Sequence, residues 1–446
     1  MYHANTCTQT NRLRQWQKTE EGRKRGRKEG RKRAFQQMAH GRVVLLMLLF
    51  ALLFASSLCG SPTIAPERKA IEISIGVGNE TEFLNDKQYK AYIVIQRFKK
   101  IITCDPGGVT NSWVGPRPCN YQGFHCGAPE DSPDEPTIAA VDFNGYNLSA
   151  PSVSGFLDHL PDLAFFHSNS NNFSGPIPDL SGLRYLRELD VSNSAHTGAF
   201  PAAVLSLRNL IFLDIRFNLF AGAVPASVFN LDLDVLFLND NNLNKPLPAA
   251  IGSSPVAYLT LANNGFTGPI PRSISKASKT LIEVLLLNNN LSGCLPQEIG
   301  LLSVATVFDA GSNRITGPIP WSFACLLKVE QLNLAENLLY GEVPDLVCRL
   351  ATDGNLANLS LSGNYFTWLG HSCWGLIDAG VLDVRRNCIL GLPEQRSPTE
   401  CARFLLRAKY CPFRYEVPCS LTTCAVKAAA PPRYVTYEAL RPPPRN

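Results

Sequence analysis

Apolar positions recur at a fixed spacing from Ile138 onward. The pattern reads L-x-x-L-x-L-x-x-N-x-L-x-G-x-I-P and is plainest in LIFLDIRFNLFAGAVP, residues 210–225. Counted from the first apolar position, eleven units begin at residues 138, 163, 186, 210, 233, 256, 281, 305, 329, 356 and 379. Their spacings of 23 to 27 residues lie in the range of leucine-rich repeats, so the pattern predicts a solenoid of stacked units.

Within a unit, apolar positions 4 and 6 alternate with polar positions, which predicts a short strand with one buried face. A single unit cannot cover that face, so neighbouring units stack and share one core. We therefore expect the α/β fold of a leucine-rich-repeat solenoid: a curved right-handed superhelix with a parallel β-ribbon on its concave face and disulfide-stapled caps. Eleven strands about 4.8 Å apart predict a ribbon about 50 Å long.

Two further unit positions carry a turn signal. Position 9 is predicted to form an asparagine ladder, because the amide can satisfy turn backbone groups that stacking would bury. Its members are Asn171, Asn218, Asn241, Asn264, Asn289, Asn313, Asn337, Asn364 and Asn387. Position 13 is mostly glycine, which permits a turn that other residues resist. These glycines are Gly175, Gly198, Gly222, Gly268, Gly293, Gly317 and Gly341.

Composition divides the chain into five predicted segments. Residues 1–60 are interpreted as a basic extension and a secretory signal peptide, because a Lys/Arg run precedes an apolar run and small residues. Residues 61–137 are predicted to form an N-terminal cap with an amphipathic helix and a Cys-rich segment. Residues 138–391 hold the repeats. Residues 392–424 are predicted to form a Cys-rich C-terminal cap, and the Pro-rich residues 425–446 a disordered tail.

The net charge of +5 conceals a mildly acidic chain beyond the basic N-terminal stretch. Residues 1–42 hold twelve Lys/Arg against three Glu, so the remaining 30 Lys/Arg and 34 Asp/Glu leave the rest of the chain at −4. Met38 opens a signal peptide of its own, so residues 1–37 are interpreted as an upstream extension or a mis-chosen start. A nucleic-acid partner is not expected. The apolar run of residues 43–54 is too short to span a membrane, and no later run is long enough.

Cysteines and sequons fit the secretory pathway. Twelve Cys follow the leader, and an even number in a secreted chain predicts disulfides. We expect Cys119 to pair with Cys126, and Cys325 with Cys348 is one pairing that fits, since they occupy near-equivalent places in adjacent units. Cys388, Cys401, Cys411 and Cys419 are assigned to the C-terminal cap with their pairing left open. Glycosylation is predicted at Asn79, Asn147, Asn172, Asn290 and Asn358.

Acidic and aromatic residues are predicted to meet on the concave strands between about Asp142 and Glu283. A negative ribbon attracts a basic partner, and aromatic side chains among the acids supply anchors. The predicted partner-binding residues are Asp142, His167, Glu188, Asp190, Phe212, Asp214, Phe217, Asp234, Phe237, Tyr258 and Glu283. The alternative is that Asp at position 5 only solvates the strand. A glycan on Asn358 would obstruct the other end of this face.

The sequence shows no catalytic constellation. It has no H-E-x-x-H, Walker loop or dinucleotide fingerprint, and GHSCWG at residues 370–375 misses the nucleophile elbow by one position. No Cys/His spacing indicates a metal, and no cofactor is expected. We therefore interpret the chain as a binding protein and not an enzyme.

Several phrases resemble one family closely. SWVGPRPCNYQGFHC, LAFFHSNSNNFSG and IGSSPVAYLTLANNGFTGPIP resemble the repeat domain of plant leucine-rich-repeat extensins, over about residues 91–344. The Cys-rich end looks more like the extensin-less, uncharacterised relatives of that family. The resemblance implies an extracellular cell-wall protein whose repeats bind rapid-alkalinisation-factor peptides, which are small, basic and cysteine-rich. There is no Ser-Pro-Pro-Pro-Pro stretch, so covalent wall anchoring is not implied.

Two other partners are left open by the sequence. One is a secreted pathogen cell-wall hydrolase, by similarity to polygalacturonase inhibitors, which share this repeat. The other is a cell-wall polysaccharide such as pectin, which would make the chain a structural wall component. The sequence also leaves open whether the chain forms a homodimer.

Overall fold

A long sheet runs through all eleven repeats in the computed structural model, which describes residues 82–408, 410–412 and 419. Contacts divide the chain into Met1–Ile73 and Ser74–Asn446, and every described residue belongs to the second unit. The predicted leader, the predicted tail and the sequon at Asn79 lie outside the described residues.

The strands are numbered along the chain, and those of the long sheet from β4 to β20 occupy unit positions 3 to 5, while β1 lies before the repeats, β2 begins one residue before the first unit and β22 covers positions 4 and 5. They are β1 Phe124–Gly127, β2 Thr137–Asp142, β4 Phe165–His167, β6 Glu188–Asp190, β8 Phe212–Asp214, β10 Val235–Phe237, β12 Tyr258–Thr260, β14 Glu283–Leu285, β16 Val307–Asp309, β18 Gln331–Asn333, β20 Asn358–Ser360 and β22 Leu382–Asp383. All pairs are parallel except β1 with β2, a hairpin of the N-terminal cap. The predicted parallel ribbon and solenoid fold are confirmed.

Two smaller parallel sheets follow position 9 of the units. Their strands are β3 Ser149–Ala150, β5 Asn172–Gly175, β7 Ala195–Ala199, β9 Leu219–Gly222 and β11 Asn242–Leu243 in one, and β13 Thr267–Gly268, β15 Asn290–Cys294, β17 Arg314–Gly317, β19 Leu338–Val343 and β21 Tyr365–Leu369 in the other. The break between them falls at Lys245. Lys245 occupies position 13 of its unit, the position at which Gly222 and Gly268 of the adjacent units have a positive φ. Lys245 does not adopt that conformation. The two smaller sheets together are here called the second ladder. Lysine resists a left-handed backbone, so the second ladder is interrupted there.

Helices are short beyond the N-terminal cap. They are α1 Asp86–Ile101, α2 Asp345–Cys348, α3 Leu350–Asp353, α4 Trp374–Asp378 and α5 Pro398–Leu405. Most units close with a single 3₁₀ turn after the Pro of the repeat. The 3₁₀ helices are Val109–Ser112, Pro118–Asn120, Leu157–His159, Ala202–Ser206, Ala226–Asn230, Ala249–Ser253, Arg272–Ala277, Gln297–Leu301, Trp321–Cys325 and His371–Cys373. Among the described residues no helix combines the length and apolarity needed to cross a membrane.

An aromatic cluster closes the first repeat. The Asn85 side chain caps α1 by accepting a hydrogen bond from Gln88 N at 2.8 Å. The helix then places Phe98 against Phe156, with parallel rings 4.0 Å apart. Trp113 is fully buried beside Phe98 and donates its Nε1 hydrogen to Gln122 O. The cap therefore extends the hydrophobic core of the repeats and shields their open end.

The asparagine ladder is present as predicted. Asn218 is typical: its amide donates to Val191 O, Ile215 O and Arg216 O, and its Oδ1 accepts from His196 N. The same arrangement repeats through the other eight asparagines of the ladder. In the unit that begins at residue 186, the hydroxyl of Ser194 fills the place instead. Each rung thus satisfies backbone groups of two units at once.

The disulfides extend the predicted C-terminal cap back along the repeats. Cys119 is bonded to Cys126 and Cys388 to Cys401, within the two caps. The pairing of Cys325 with Cys348 is wrong. Cys348 is bonded to Cys373 of the next unit, Cys325 to Cys419, and Cys294 to Cys411. A one-repeat offset brings Cys348 and Cys373 together, whereas Cys325 is reached by the chain that returns from α5.

The return of the chain is positioned by an aromatic stack. Phe404 of α5 lies parallel to Tyr365 of β21, with ring centres 3.5 Å apart. The guanidinium of Arg396 lies 4.3 Å from the centre of the same Tyr365 ring. Arg396 also donates to Asn364 O and Gly363 O. These contacts fasten α5 to the last unit of the second ladder and turn the following chain toward Cys294.

Candidate partner-binding site

The outward side chains of the long sheet form aligned rows. Positions 4 and 6 point into the core, so positions 3, 5 and 7 form the opposite surface, here called the ribbon face. In position 3 the register places Phe165, Glu188, Phe212, Val235, Tyr258 and Glu283 side by side. In position 5 it places Asp142, His167, Asp190, Asp214, Phe237 and Thr260 side by side. The repeat thus brings the predicted acids and aromatics onto one surface.

The acidic residues differ in how far they reach solvent. Asp142 and Asp234 are exposed, and Glu188 and Asp190 are half-buried. The structure corrects the prediction for Asp214 and Glu283, which were expected to face a partner. Asp214 is 0% exposed because Arg216 covers it, and Glu283 is buried between Tyr258 and Val307 in its row.

Asp at position 5 has a structural role. Its Oδ1 accepts a hydrogen bond from the backbone N of position 7, where the strand turns. The pairs are Asp142 with Asn144, Asp190 with Ser192, Asp214 with Arg216, Asp309 with Gly311 and Asp383 with Arg385. This bond, and not only solvation of the strand, explains why Asp recurs there. One oxygen of each carboxylate is therefore committed to the fold.

Aromatic side chains lie among these acids. Phe212 and Phe237 pack edge to face on neighbouring strands, with ring centres 6.1 Å apart. Tyr258 is 38% exposed and Phe165 36%. Phe165 was missed by the sequence reasoning, although its place in position 3 is the signal that identifies it. Phe217 lies at position 8 with a left-handed φ of 53° and is half-buried, so it borders the ribbon face where the strand has already turned.

Arg216 lies at the centre of the site. Its Nε is 2.9 Å from Asp214 Oδ2, and its guanidinium carbon is 5.1 Å from the centre of the Phe237 ring. Burial and the neighbouring Asp190 carboxylate raise the pKa of Asp214 well above its usual range, although Arg216 opposes them. Burial also raises the pKa of Asp240, against the hydrogen bonds from Asn239 and Asn263. The carboxylates here are held close together and partly dehydrated.

The margins of the site are polar on one side and apolar on the other. His167 Nε2 lies 2.9 Å from Glu188 Oε2, which joins the third and fifth positions of adjacent strands. Next to Tyr258 the ribbon face has an apolar part, where Ala262, Leu285 and Val307 pack together with Phe237. The acidic part of the ribbon face therefore lies in the first five or six units.

The sequons fall mostly away from these rows. Asn147, Asn172 and Asn290 all occupy position 10 and are exposed on the side of the second ladder. Asn358 is exposed at position 3 of the ribbon face, as predicted, five units beyond Phe237. Their glycosylation stays a prediction.

A groove of about 570 Å³ lies elsewhere, beside the Cys294–Cys411 bond. Six prolines contribute to its lining, five from the G-P-I-P and L-P segments of the repeats and one from the returning chain: Pro269, Pro271, Pro296, Pro318, Pro320 and Pro412. None of the predicted partner-binding residues lines it, and the ribbon face is an open surface suited to a macromolecule. Within the described residues, no cluster of three or more His, Cys, Asp or Glu could hold a metal ion.

No protein-family model matches the chain. Leucine-rich repeat extensin-like protein 6 of Arabidopsis thaliana is 41% identical over 234 residues, which is 52% of this chain and 49% of that protein. Leucine-rich repeat extensin-like protein 2 of the same plant is 39% identical over 242 residues, 54% of this chain and 31% of that protein. The chain thus spans half or less of their length, and their names give no enzymatic activity.

A solved structure shares the fold. It is the leucine-rich-repeat ectodomain of the Arabidopsis thaliana receptor kinase GASSHO1/SCHENGEN3 in complex with CASPARIAN STRIP INTEGRITY FACTOR 2. The similarity has a TM-score of 0.53 and 21% identity, covering 67% of this chain and 44% of that one. The disulfides and the curated relatives support an extracellular location. This chain is a leucine-rich-repeat protein related to the plant leucine-rich repeat extensin-like proteins.

Proposed function

We propose that the chain is secreted into the plant cell wall or apoplast and binds a small, basic, cysteine-rich peptide through its ribbon face. The observation that carries the proposal is the alternation in position 3, where Phe165, Phe212 and Tyr258 flank Glu188 and Val235. The exposed Phe165 and Tyr258, with the half-buried Phe212 and the Glu188 carboxylate between them, complement a partner that presents both apolar and cationic side chains.

The size of the row fits a small peptide. Phe165 and Tyr258 are four strand steps apart, which is about 19 Å at 4.8 Å per step. An extended segment of about six residues, or one face of a small disulfide-bonded peptide, covers that distance. The exposed Asp142 lies one strand before the row and the exposed Asp234 lies beside Val235, so a basic partner would be steered toward the row from solvent.

Chain similarity supports the compartment and the ligand class. The curated relatives are leucine-rich repeat extensin-like proteins, a family whose repeat domain the sequence also resembles in its motifs. That resemblance implies rapid-alkalinisation-factor peptides as ligands. Glycans at Asn147, Asn172 and Asn290 would coat the side of the second ladder and leave the acidic rows open.

The test is binding of the purified chain to such a peptide, oxidised and reduced, and to a polygalacturonase, at low and high salt. We expect saturable binding of the oxidised peptide that weakens as salt rises, since salt screens exposed charges. Asp190→Lys should weaken it about ten-fold or more, mainly through a slower association rate. Tyr258→Ala should weaken it through faster dissociation.

Asp383→Lys is the matched control. Asp383 makes the same bond to its position-7 nitrogen as Asp190 does, so both variants lose one turn contact. The two lie eight strand steps apart, about 38 Å, so only Asp190→Lys should affect peptide binding. Equal effects of the two variants, or binding of the hydrolase alone, would overturn the proposal.

A further inference from the structure

Arg216 fills a small site on the ribbon face. One wall is the Asp214 carboxylate, 2.9 Å from its Nε, and the other is the Phe237 ring, 5.1 Å from its guanidinium carbon. Only 12% of the Arg216 side chain is exposed, and Asp214 beneath it has no exposed surface. A carboxylate and an aromatic face together are the surroundings that a guanidinium binds best.

Negative charge exceeds positive charge at this place. Asp190, on the preceding strand, is close enough to raise the pKa of Asp214, and Arg216 is close enough to lower the pKa of both Asp214 and Asp240. One guanidinium therefore faces two carboxyl groups, Asp214 and Asp240, while Asp190 adds a third beside Asp214. A site with this balance keeps its affinity for a cation if Arg216 leaves, because a buried carboxylate without a cation is costly.

Two buried acceptors, one in the unit that follows Arg216 and one beside Phe237, indicate a polar ligand independently of the acids. Asn239 occupies the position of Arg216 in the next unit and is fully buried. Its Nδ2 donates to Asp240 Oδ2 at 2.7 Å, which fixes the amide, and its Oδ1 has no hydrogen-bond partner among the described residues. The buried Thr260 Oγ1, beside Phe237 in position 5, also lacks one in the described part of the chain. Both can accept from a guanidinium, which carries five N–H donors.

We propose that this is a subsite for an arginine side chain of the partner, and that Arg216 occupies it from within the chain until the partner binds. The inference rests on the proposed function and names the group that the ribbon face recognises. The partner's guanidinium replaces that of Arg216 between Asp214 and Phe237, and Arg216 moves to solvent on its flexible stem. The apparent affinity of the site for the partner is therefore its intrinsic affinity multiplied by the fraction of molecules in which Arg216 has left the site.

The test uses Arg216→Ala with N-acetyl-arginine amide as the probe, and thermal unfolding as the readout. We expect millimolar probe to raise the melting temperature of the variant by several degrees and to leave the unmodified protein unchanged. The lysine analogue should give a smaller rise and the uncharged citrulline analogue none. If Arg216→Ala does not fold, Arg216→Gln keeps the stem, removes the charge and should respond in the same way.

Arg385→Ala is the matched control. Arg385 occupies the same unit position and pairs with Asp383 through two contacts of 2.9 and 2.8 Å, but its side chain is 63% exposed. No response to the probe is expected there. An equal rise in both variants, or an equal rise with citrulline, would show that no guanidinium subsite exists.

The basic peptide then separates this inference from the proposed function. Arg216→Ala should bind it about three- to ten-fold more tightly than the unmodified protein, because the internal competitor is gone. Weaker binding would mean that Arg216 contacts the partner and would overturn the inference alone. A response to the arginine probe without binding of any basic peptide would support the subsite and remove the proposed function.

Discussion

The same Asp-x-Arg sequence occurs at positions 5 and 7 of two units, as Asp214 with Arg216 and as Asp383 with Arg385. In both, the carboxylate accepts the backbone N–H of the arginine and forms an ion pair with its side chain. Yet burial and Asp190 raise the pKa of Asp214, whereas the hydrogen bonds from Arg385 lower the pKa of Asp383. Identical local sequence therefore produces opposite electrostatics.

The difference lies in the neighbouring strands. β8 has Asp190 on one side and Phe237 on the other, which add a like charge and exclude water. β22 ends the described sheet and has only Ser360 beside Asp383. In a repeat protein the chemistry of a site is set across the strands, by residues about one unit away in sequence, more than by the motif itself.

The largest expected loss of stability should be the same in the unit that holds Asp214 and in the unit that holds Asp383. Asn218→Ala and Asn387→Ala each remove an amide that makes three backbone hydrogen bonds and accepts a fourth. Each should cost about 3–4 kcal/mol of unfolding free energy, because buried backbone groups lose their partners. Urea unfolding measures this. A much smaller loss of unfolding free energy for Asn387→Ala would show that the two units differ in the strength of their backbone hydrogen bonding as well as in their charges.

The pH dependence that comes from His196 must be removed before the pH dependence of Asp214 and Asp383 is compared. His196 fills the apolar position 11 of its unit, and burial lowers its pKa to about 4. The unfolded chain binds a proton near pH 6.5 and the folded chain does not. Stability is therefore full above pH 6.5 and falls by about 3 kcal/mol as the pH approaches 4. His196→Leu should abolish this loss in unfolding curves between pH 7 and 4, and an unchanged loss would place the acid sensitivity elsewhere.

In that background, Asp214→Asn and Asp383→Asn should respond to pH with opposite signs. A raised folded-state pKa stabilises the protein below the unfolded pKa, and that contribution is lost as pH rises through the folded value. The Asp214→Asn variant should thus gain stability relative to its parent on going from pH 4 to 8. The lowered folded-state pKa of Asp383 stabilises the protein at pH values above the unfolded pKa. Asp383→Asn should therefore be less stable than its parent at neutral pH and approach the stability of its parent in acid. If the stability of both variants, relative to the parent, changed with pH in the same direction, the two carboxyl groups would not differ as proposed.

The features that recur in every unit could be predicted from the sequence. The strands, the ladder and the alignment of Asp142 with His167 and Asp190 follow from one local rule applied eleven times. The burial of Asp214 could not be predicted, because it depends on Arg216 and Phe237 closing over it. The partners of Cys294 and Cys325 could not be predicted either, since the returning chain that carries Cys411 and Cys419 follows no period. The break at Lys245, by contrast, can be seen in the sequence, because Lys245 stands at the unit position where most other units have glycine.

The returning chain also decides how the molecule carries a load. A solenoid pulled at its last repeat opens there first, because each unit holds only its neighbours. Here Cys419 is bonded to Cys325 across 94 residues and Cys411 to Cys294 across 117. A force applied beyond Cys419 passes through these bonds into the units that begin at residues 281 and 305. The last three units lie inside a covalent ring and bear none of that tension.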